Sequence, residues 1–292
     1  MYKKKPTNKQ DQLTIVITRS YESLDLIKDC LTSIQFQNDC KATVLFLDQQ
    51  LSNETKSYVA TLESKNIKFK YINIPEISNS FARNYGLNKA KTNYVAFCDV
   101  DCILEKNYIS EIINTFQKEN ATIVGTKVTP LWGGPIKWFH KSKFIQEFYS
   151  LLDLSNVRCD VPKIMGGSYA VDKYKLGKEG YFDEKLGRSK TNSLGGEETD
   201  LCQRVRKNGG KIIYTPHTNT RHQISKNRIN TLWLLKTVYN AGSSRVVRGG
   251  KTEPFNKKYT FLDKLALTYI LPFYVLGYLK SKIKIGKLFI IS

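Results

Sequence analysis

The chain has 292 residues, with 46 lysines and arginines against 26 aspartates and glutamates, for a formal net charge of +20. A hydrophobic fraction of 41% with 12% aromatics is enough for a sizeable core, which excludes a disordered chain and a small disulfide-stapled scaffold. The length suits one large domain or one domain with an appendage. The charge is uneven: Arg221 to Ser292 holds 14 basic and 2 acidic residues, a tail suited to a polyanion, either nucleic acid or an anionic membrane surface.

Met1 to Gln12 is polar and basic, with Lys3, Lys4 and Lys5. The apolar run that follows, Leu13 to Ile17, is too short for the apolar core of a signal peptide and reads as a strand. No signal peptide is expected, and the chain is expected to stay on the cytoplasmic side. Thr14 to Thr18 is strand-like, and Leu24, Ile27, Leu31 and Ile34 mark one face of a helix. Thr43 to Leu47 is a second strand, followed by a helical stretch from Asn53 to Ser64 and a short strand from Lys68 to Ile72. Ser80 to Ala90 is helical, Tyr94 to Cys98 is a fourth strand, Tyr108 to Phe116 gives another helix face, and Ala121 to Thr126 is a strand. This alternation predicts an α/β fold with a mostly parallel sheet and helices on both faces. Ligands of such sheets sit at the carboxyl ends of the strands.

From Val128 the regularity lapses, with a turn-rich break at Pro130 to Pro135. A helix is expected from near Glu197 to Asn208-Gly209, then a strand from Lys211 to Tyr214 and a turn at Thr215-Pro216-His217. Gly249-Gly250 and Pro254 mark a boundary. Beyond it, Leu265 to Leu279 is fifteen residues without a charge, interrupted by Pro272 and Gly277 and followed by Lys280, Lys282, Lys284 and Lys287. As a helix that run spans ~22 Å, short of a ~30 Å hydrocarbon core, so it is expected to lie in a membrane interface or to pack as a core helix. The six cysteines form no CxxC pair and no zinc-finger spacing, so buried free thiols are expected.

Three groups of residues carry chemistry. Asp99-Val100-Asp101 ends the fourth strand, where alternate residues share a face, so both carboxylates project together. Such a pair suits Mg²⁺ or Mn²⁺ completed by phosphate oxygens, or stands as two solvated turn aspartates. Glu197 and Glu198 open a helix, where the macrodipole favours carboxylates and keeps a general base ionised. They diverge by ~100°, so only one can point into a given site; Asp200 and Arg204 can pair four residues apart. His222, one of only three histidines, becomes a candidate metal ligand beside an acidic motif.

Together these residues resemble family 2 of the glycosyltransferases with the nucleotide-binding GT-A fold. Ser80-Phe81-Ala82-Arg83-Asn84 matches that family's small-x-Ala-Arg-Asn segment, and Asp99-Val100-Asp101 its metal motif. Gly166-Gly167-Ser168-Tyr169-Ala170-Val171 is similar to its Gly-rich donor-side strand, and Glu179 to Glu184 to its Gly-Gly-Phe-Asp-Glu turn. Gly196 to Arg204 resembles its Gly-Glu-Asp-x-Asp-Leu-x-x-Arg helix start, and Tyr214 to His222 its closing strand and histidine. The segments run in the family's order over residues 13 to 222.

The resemblance implies a Rossmann-like nucleotide-binding domain over 1–222, its nucleotide-sugar half about 13–127 and its acceptor half about 128–222. A helical, basic and partly apolar extension over 223–292 follows, with 257–292 meeting an anionic membrane. It implies inverting transfer of a sugar from a nucleotide diphosphate, a UDP-sugar favoured, to a glycan or lipid-linked acceptor in cell-surface polysaccharide synthesis. Thr18, Arg19, Asp48, Arg83, Asp99 and Gly167 would bind the nucleotide-sugar, and Asp99, Asp101 and His222 would hold Mn²⁺ or Mg²⁺. Glu198 would be the base, with Glu197 its rival, because the family's usual aspartate is replaced here by Glu198. Trp132, Trp138 and Tyr149 are either an acceptor platform or core. The first strand ends Thr18-Arg19-Ser20-Tyr21 instead of Pro-Thr-Tyr-Asn, and Gln49-Gln50-Leu51-Ser52 follows Asp48, so the base preference stays open. Two other readings are a catalytically inactive relative that binds a sugar or partner and a nucleic-acid-binding protein. The sequence offers the latter no helix-turn-helix, RNP motif or zinc finger, and no nucleic acid is expected.

Overall fold

A computed structural model describes residues 12–37, 40–177, 180–249, 254–255 and 258–290, with side chains as far as Lys284. Lys3, Lys4 and Lys5, Glu179, Gly250, Lys257 and the Lys287 side chain lie outside the described residues. In chain order the elements are β1 (Leu13–Arg19), α1 (Leu24–Gln35), β2 (Ala42–Asp48), α2 (Asn53–Thr61), β3 (Ile67–Asn73), α3 (Asn79–Lys89), β4 (Tyr94–Asp99), β5 (Cys102–Leu104), α4 (Tyr108–Glu119) and β6 (Ile123–Trp132). They continue with α5 (Lys143–Gln146), β7 (Cys159–Asp160), β8 (Ser168–Asp172), α6 (Lys173–Leu176), α7 (Glu197–Lys207), β9 (Ile212–Ile224), α8 (Thr231–Arg248) and α9 (Phe261–Ile290).

The strands form one sheet in the order β3-β2-β1-β4-β8-β6-β9-β5, with β7 on β9. The first half, β3 to β4, is parallel. The second half is mixed, because β8 runs antiparallel to both β4 and β6 while β6 and β9 are parallel. Strands buried on both faces need continuous apolar runs, and β1 and β2 have them. Successive residues feed opposite cores. Ile15, Ile17, Val44 and Phe46 meet Ile27 and Leu31 of α1 and Ile112 and Phe116 of α4. Val16, Leu45, Leu47 and Phe97 face the other core, shared by Ala82 of α3, Leu201 and Val205 of α7, Leu234 and Val238 of α8, and Ala266 and Ile270 of α9.

Three segments differ from the sequence expectation. β6 continues through Pro130 to Trp132, although prolines and glycines there mark a break. The chain tolerates Pro130 because Val128 turns its N–H away from β9 to Leu152, and Pro130, two residues on, presents its missing donor to the same side. β9 does not stop at Tyr214. Thr126 pairs with Thr215 and Lys127 with Asn219, so residues 216–218 bulge out and the strand resumes to Ile224, carrying His222 into the sheet. The C-terminal apolar run is part of a 30-residue helix that passes through Pro272. Phe261–Lys284, 24 residues, is long and apolar enough to cross a membrane, with 22% buried, less than a core helix requires. At ~1.5 Å per residue that stretch measures ~36 Å, so length does not confine it to the interface.

α8 and α9 pack as an antiparallel hairpin whose backbones nearly touch. A Cβ on Gly242 would lie 2.1 Å from the Tyr274 carbonyl oxygen, and one on Gly277 would lie 2.0 Å from that of Tyr239. Ser243 Oγ also donates to the Gly277 carbonyl at 3.0 Å. The start of α9 is pinned where Asp263 accepts from Ser142 Oγ, 2.7 Å away, just ahead of α5.

Candidate active site

The ends of β1, β2 and β4 bring Thr18, Arg19, Asp48 and Asp99 together, since Thr18 is in register with Asp99 and Arg19 with Asp48. Arg19 Nη1 pairs with Asp48 at 3.0 Å, and buried Asp48 also accepts from Tyr71 Oη at 2.9 Å and from the Gln50 N–H at 2.9 Å. Asp48 is therefore a hub that shapes this rim.

Arg83 organises the next layer. Ser78 caps α3, whose buried face presents Arg83 beneath the strand ends. One guanidinium nitrogen reaches Asp99 Oδ1 at 3.1 Å and the other Glu197 Oε1 at 2.5 Å. Its neighbour Asn84 exchanges hydrogen bonds with Phe182, donating to its carbonyl at 3.0 Å and accepting its N–H at 2.8 Å. Arg204 Nη2 holds Asp200, 2.8 Å away, and also donates to the Tyr181 carbonyl at 2.7 Å. These bonds join the Ser80–Asn84 segment to the turn at 180–184 and the start of α7, although the first precedes the other two by about a hundred residues.

Asp101 stands on the opposite side of this group. Its Oδ2 lies 3.1 Å from His222 Nε2 and 3.0 Å from Arg228 Nη1. Burial pushes the Asp101 carboxyl up, but His222 and Arg228 outweigh that and hold it below the ordinary carboxylate range. Asp99 moves the other way: burial raises it and Asp101 adds to the rise, while Arg83 opposes both. His222 Nδ1 lies 2.8 Å from the Tyr149 carbonyl, which can only accept, so Nδ1 carries a proton and Nε2 is turned to Asp101. Arg228 Nη1 reaches both, at 3.0 Å from Asp101 Oδ2 and 3.4 Å from His222 Nε2, so the guanidinium supplies the positive charge between them, a place that a proton or a metal ion could also fill. The orientation of Nδ1 by a backbone carbonyl is the usual outer-shell support of a metal-binding histidine.

Asp101 and His222 therefore fit as two ligands of a divalent ion, while Asp99 is drawn to Arg83. Among the described residues, no three His, Cys, Asp or Glu side chains are grouped to hold a metal by themselves. Mg²⁺ and Mn²⁺ normally take phosphate oxygens and water to complete such a set.

Glu197 and Glu198 part at the helix start, as their angular spacing requires. Gly196 has φ +90°, a left-handed conformation that glycine adopts without strain, and it sets the entry into α7. Glu197 turns inward to Arg83. Glu198 rests against Gly166, where a Cβ would meet its Oε1 at 3.3 Å, and it borders a cavity of about 410 Å³. Burial, repulsion from Glu197 and only partial relief from Arg83 push Glu198 up to about 7. Gly167 lies on the Asp99 side, its carbonyl accepting the Asp99 N–H at 3.1 Å.

The aromatic trio resolves largely as core. Tyr149 is fully buried and stacks on Trp233, with Trp132 edge-on to it, whereas Trp138 is partly exposed and packs beside Tyr269 of α9. Sequence reasoning missed Arg228, which follows His222 by six residues with no motif to mark it, and missed Arg245 and Arg248 of α8, which border the cavity with Glu198. All six cysteines are free; Cys30, Cys98, Cys102 and Cys202 are buried, as expected, whereas Cys40 and Cys159 are only partly buried.

The family model described as glycosyl transferase family 2 matches residues 15–177, more than half of the chain. A glucosyl-dolichyl phosphate glucuronosyltransferase of Haloferax volcanii is 24% identical over 204 residues, covering 65% of this chain and 62% of that protein. The succinoglycan biosynthesis protein ExoM of Rhizobium meliloti is 23% identical over 186 residues, covering 60% of this chain and 54% of its own. The chain thus spans somewhat more than half the length of these relatives. Among solved structures, GalNAc-T7 with UDP, GalNAc and Mn²⁺ superposes with a TM-score of 0.58 at 15% identity, covering 81% of this chain and 48% of that one. The family match over more than half of the chain and the likeness of the fold agree: the chain belongs to glycosyl transferase family 2 and has the GT-A fold.

Proposed function

We propose that the protein transfers a sugar, with inversion, from a UDP-sugar to a hydroxyl of a glycan or lipid-linked acceptor in cell-surface polysaccharide synthesis. The observation that carries this is the division of four carboxylates around Arg83, which leaves Asp101 ionised beside His222 and Glu198 near neutrality beside a cavity. Thr18, Arg19 and Asp48 form the rim on which the nucleotide lies, with Arg83, Asp99 and Gly167 beneath the ribose and donor sugar. Asp101 and His222 hold the divalent ion, which supplies positive charge to offset that of the departing diphosphate. The fold neighbour crystallised with UDP, GalNAc and Mn²⁺ supports a nucleotide and a divalent ion as the ligands.

Glu198 takes the proton of the acceptor hydroxyl as that oxygen bonds to the anomeric carbon. The bond from that carbon to the diphosphate oxygen breaks in the same displacement, and the nucleoside diphosphate leaves with the electron pair. A single displacement at one carbon inverts its configuration. A carboxylate with a pKa near the working pH is suited to this proton transfer.

The tail suits a location at the cytoplasmic face of a membrane, peripheral or monotopic. Leu265, Leu271, Leu276, Leu279 and Ile283 are exposed along α9, and Lys280, Lys282 and Lys284 follow at its end. Basic residues close to an anionic surface contribute ~1 kcal/mol each.

The test is incubation with a panel of nucleotide sugars and Mn²⁺ or Mg²⁺. Nucleoside diphosphate released from one donor and abolished by EDTA is expected. Release from none, with or without an acceptor, refutes the transferase reading and leaves an inactive relative.

A further inference from the structure

The cavity beside Glu198 is lined by two chemically different kinds of side chain. Four basic side chains, Lys163, Arg188, Arg245 and Arg248, border it against two carboxylates, Glu147 and Glu198. Lys163 is already paired with Glu147 at 2.9 Å, so the positive charge is concentrated at the arginines. Arg245 lies against Tyr274 Oη at 3.4 Å, and Arg248 sits over the entry to α7, where a Cβ on Gly196 would meet its Nη1 at 2.8 Å. The same lining also holds hydrocarbon, Leu267, Ile270 and Leu271 of α9.

Leu267 and Leu271 line the cavity and are 38% and 45% exposed, on the helix that also exposes Leu265, Val275, Leu276 and Leu279. The hairpin is fixed relative to Glu198: Ser244 Oγ of α8 accepts the Gly195 N–H at 3.1 Å, and the Gly242–Gly277 contact sets the spacing of α8 and α9. Arg83, Asp99, Asp101, His222 and Arg228 do not line this cavity. Of the residues assigned above to the transfer, only Glu198 does.

We propose that this cavity is the acceptor site and takes an amphiphile, its phosphate or diphosphate held by Arg245 and Arg248 and its hydrocarbon chain laid along Leu267, Ile270 and Leu271. The assignment rests on the role given to Glu198 in the transfer reaction, and it selects a lipid-linked, phosphate-bearing acceptor over a free glycan. Arginine forks suit phosphate oxygens, and each methylene withdrawn from water along the leucines tightens binding about fourfold. The acceptor thereby reaches Glu198 from the apolar face of the enzyme, while the donor enters from the strand ends.

The test measures binding of dodecyl phosphate, dodecanol and inorganic phosphate to the full chain, each probe kept monomeric, with UDP and Mn²⁺ titrated in parallel. Dodecyl phosphate is expected to bind at least about tenfold tighter than either partial probe. The pair Arg245→Gln with Arg248→Gln is expected to erase that advantage over dodecanol, and the pair Arg245→Lys with Arg248→Lys to keep part of it. Leu271→Asp is expected to weaken dodecyl phosphate and leave inorganic phosphate unchanged. Melting curves matching the parent's establish that each variant folds, and the lysine pair and Leu271→Asp keep the test decisive if the glutamine pair does not. Equal binding of dodecanol and dodecyl phosphate overturns the proposal. An equal loss of UDP binding in the arginine variants also overturns it, because it assigns them to the donor. UDP binding without dodecyl phosphate binding defeats this proposal alone; failure to bind UDP defeats the transferase reading beneath it as well.

Discussion

The end of β4 and the start of α7 each present two carboxylates, and Arg83 binds one from each, Asp99 and Glu197. The remaining two meet opposite surroundings. Asp101 faces His222 and Arg228, which hold it ionised although it is largely withdrawn from water. Glu198 has burial and Glu197 against it and Arg83 partly in its favour, so it is pushed up to about 7. Identical chemical groups thus acquire different uses from their neighbours: one suited to holding a cation, the other to accepting a proton.

Breaking the Glu198 side of this comparison has the largest expected effect. Glu198→Gln keeps the volume and removes the proton acceptor, so kcat should fall by ~10²–10⁴-fold in a coupled nucleotide-release assay. Stability should not suffer. A carboxyl whose folded pKa lies above its unfolded value loses stability as pH rises from the unfolded to the folded pKa, so the glutamine form should melt at or above the parent temperature beyond pH 7. Melting well below the parent would show that Glu198 is a structural group.

Glu197→Gln tests the partner that Arg83 holds. Removing one member of a buried ion pair leaves its partner inadequately compensated, at a cost of ~3–5 kcal/mol, to be read from urea or thermal unfolding. A variant as stable as the parent would contradict the bridging role of Arg83. Asp101→Asn should lower turnover by ~10²–10³-fold and shift the Mn²⁺ titration to higher concentration, because in the proposed mechanism Asp101 would supply a charged ligand to the divalent ion. An unchanged metal titration would remove Asp101 from the ligand set.

The smallest effect sharpens the contrast without mutation. If Glu198 must be ionised to accept a proton, kcat should fall about tenfold per pH unit below about 7 and level off above it. Arg83 and Arg248 favour the ionised form, while Glu197 and Asp99 oppose it. A limb near the ordinary carboxylate range would mean that burial does not govern this group in the working enzyme.

Much of this arrangement was legible in order and kind. Alternating apolar runs identify β1 to β4 and the helices between them, because period-2 and period-3.6 patterns are local. The segments Ser80–Asn84, Asp99–Asp101, Gly166–Val171 and Gly196–Arg204 stand out by their order. The choice between Glu197 and Glu198 was not legible. Their separation around the helix is local, but which of them meets Arg83 depends on how α7 docks beside α3. The continuation of β9 past Pro216 was hidden for a similar reason. Pro216 and His217 read as a turn, and only pairing with β6 across the sheet restores the strand and brings His222 to Asp101.

The tail shows the same division. Its charge excess and its lysines are sums over the chain, so composition alone established that it carries +12 of the net charge. Whether its apolar run lies apart from the domain or against it could not be counted. That was decided by the Gly242–Gly277 contact and by Ala266 and Ile270 entering a core built mostly by residues far earlier in the chain. Local propensity, periodicity and net charge are properties of neighbouring residues. Proton affinity, ion pairing and the walls of a cavity are properties of residues that only folding makes neighbours.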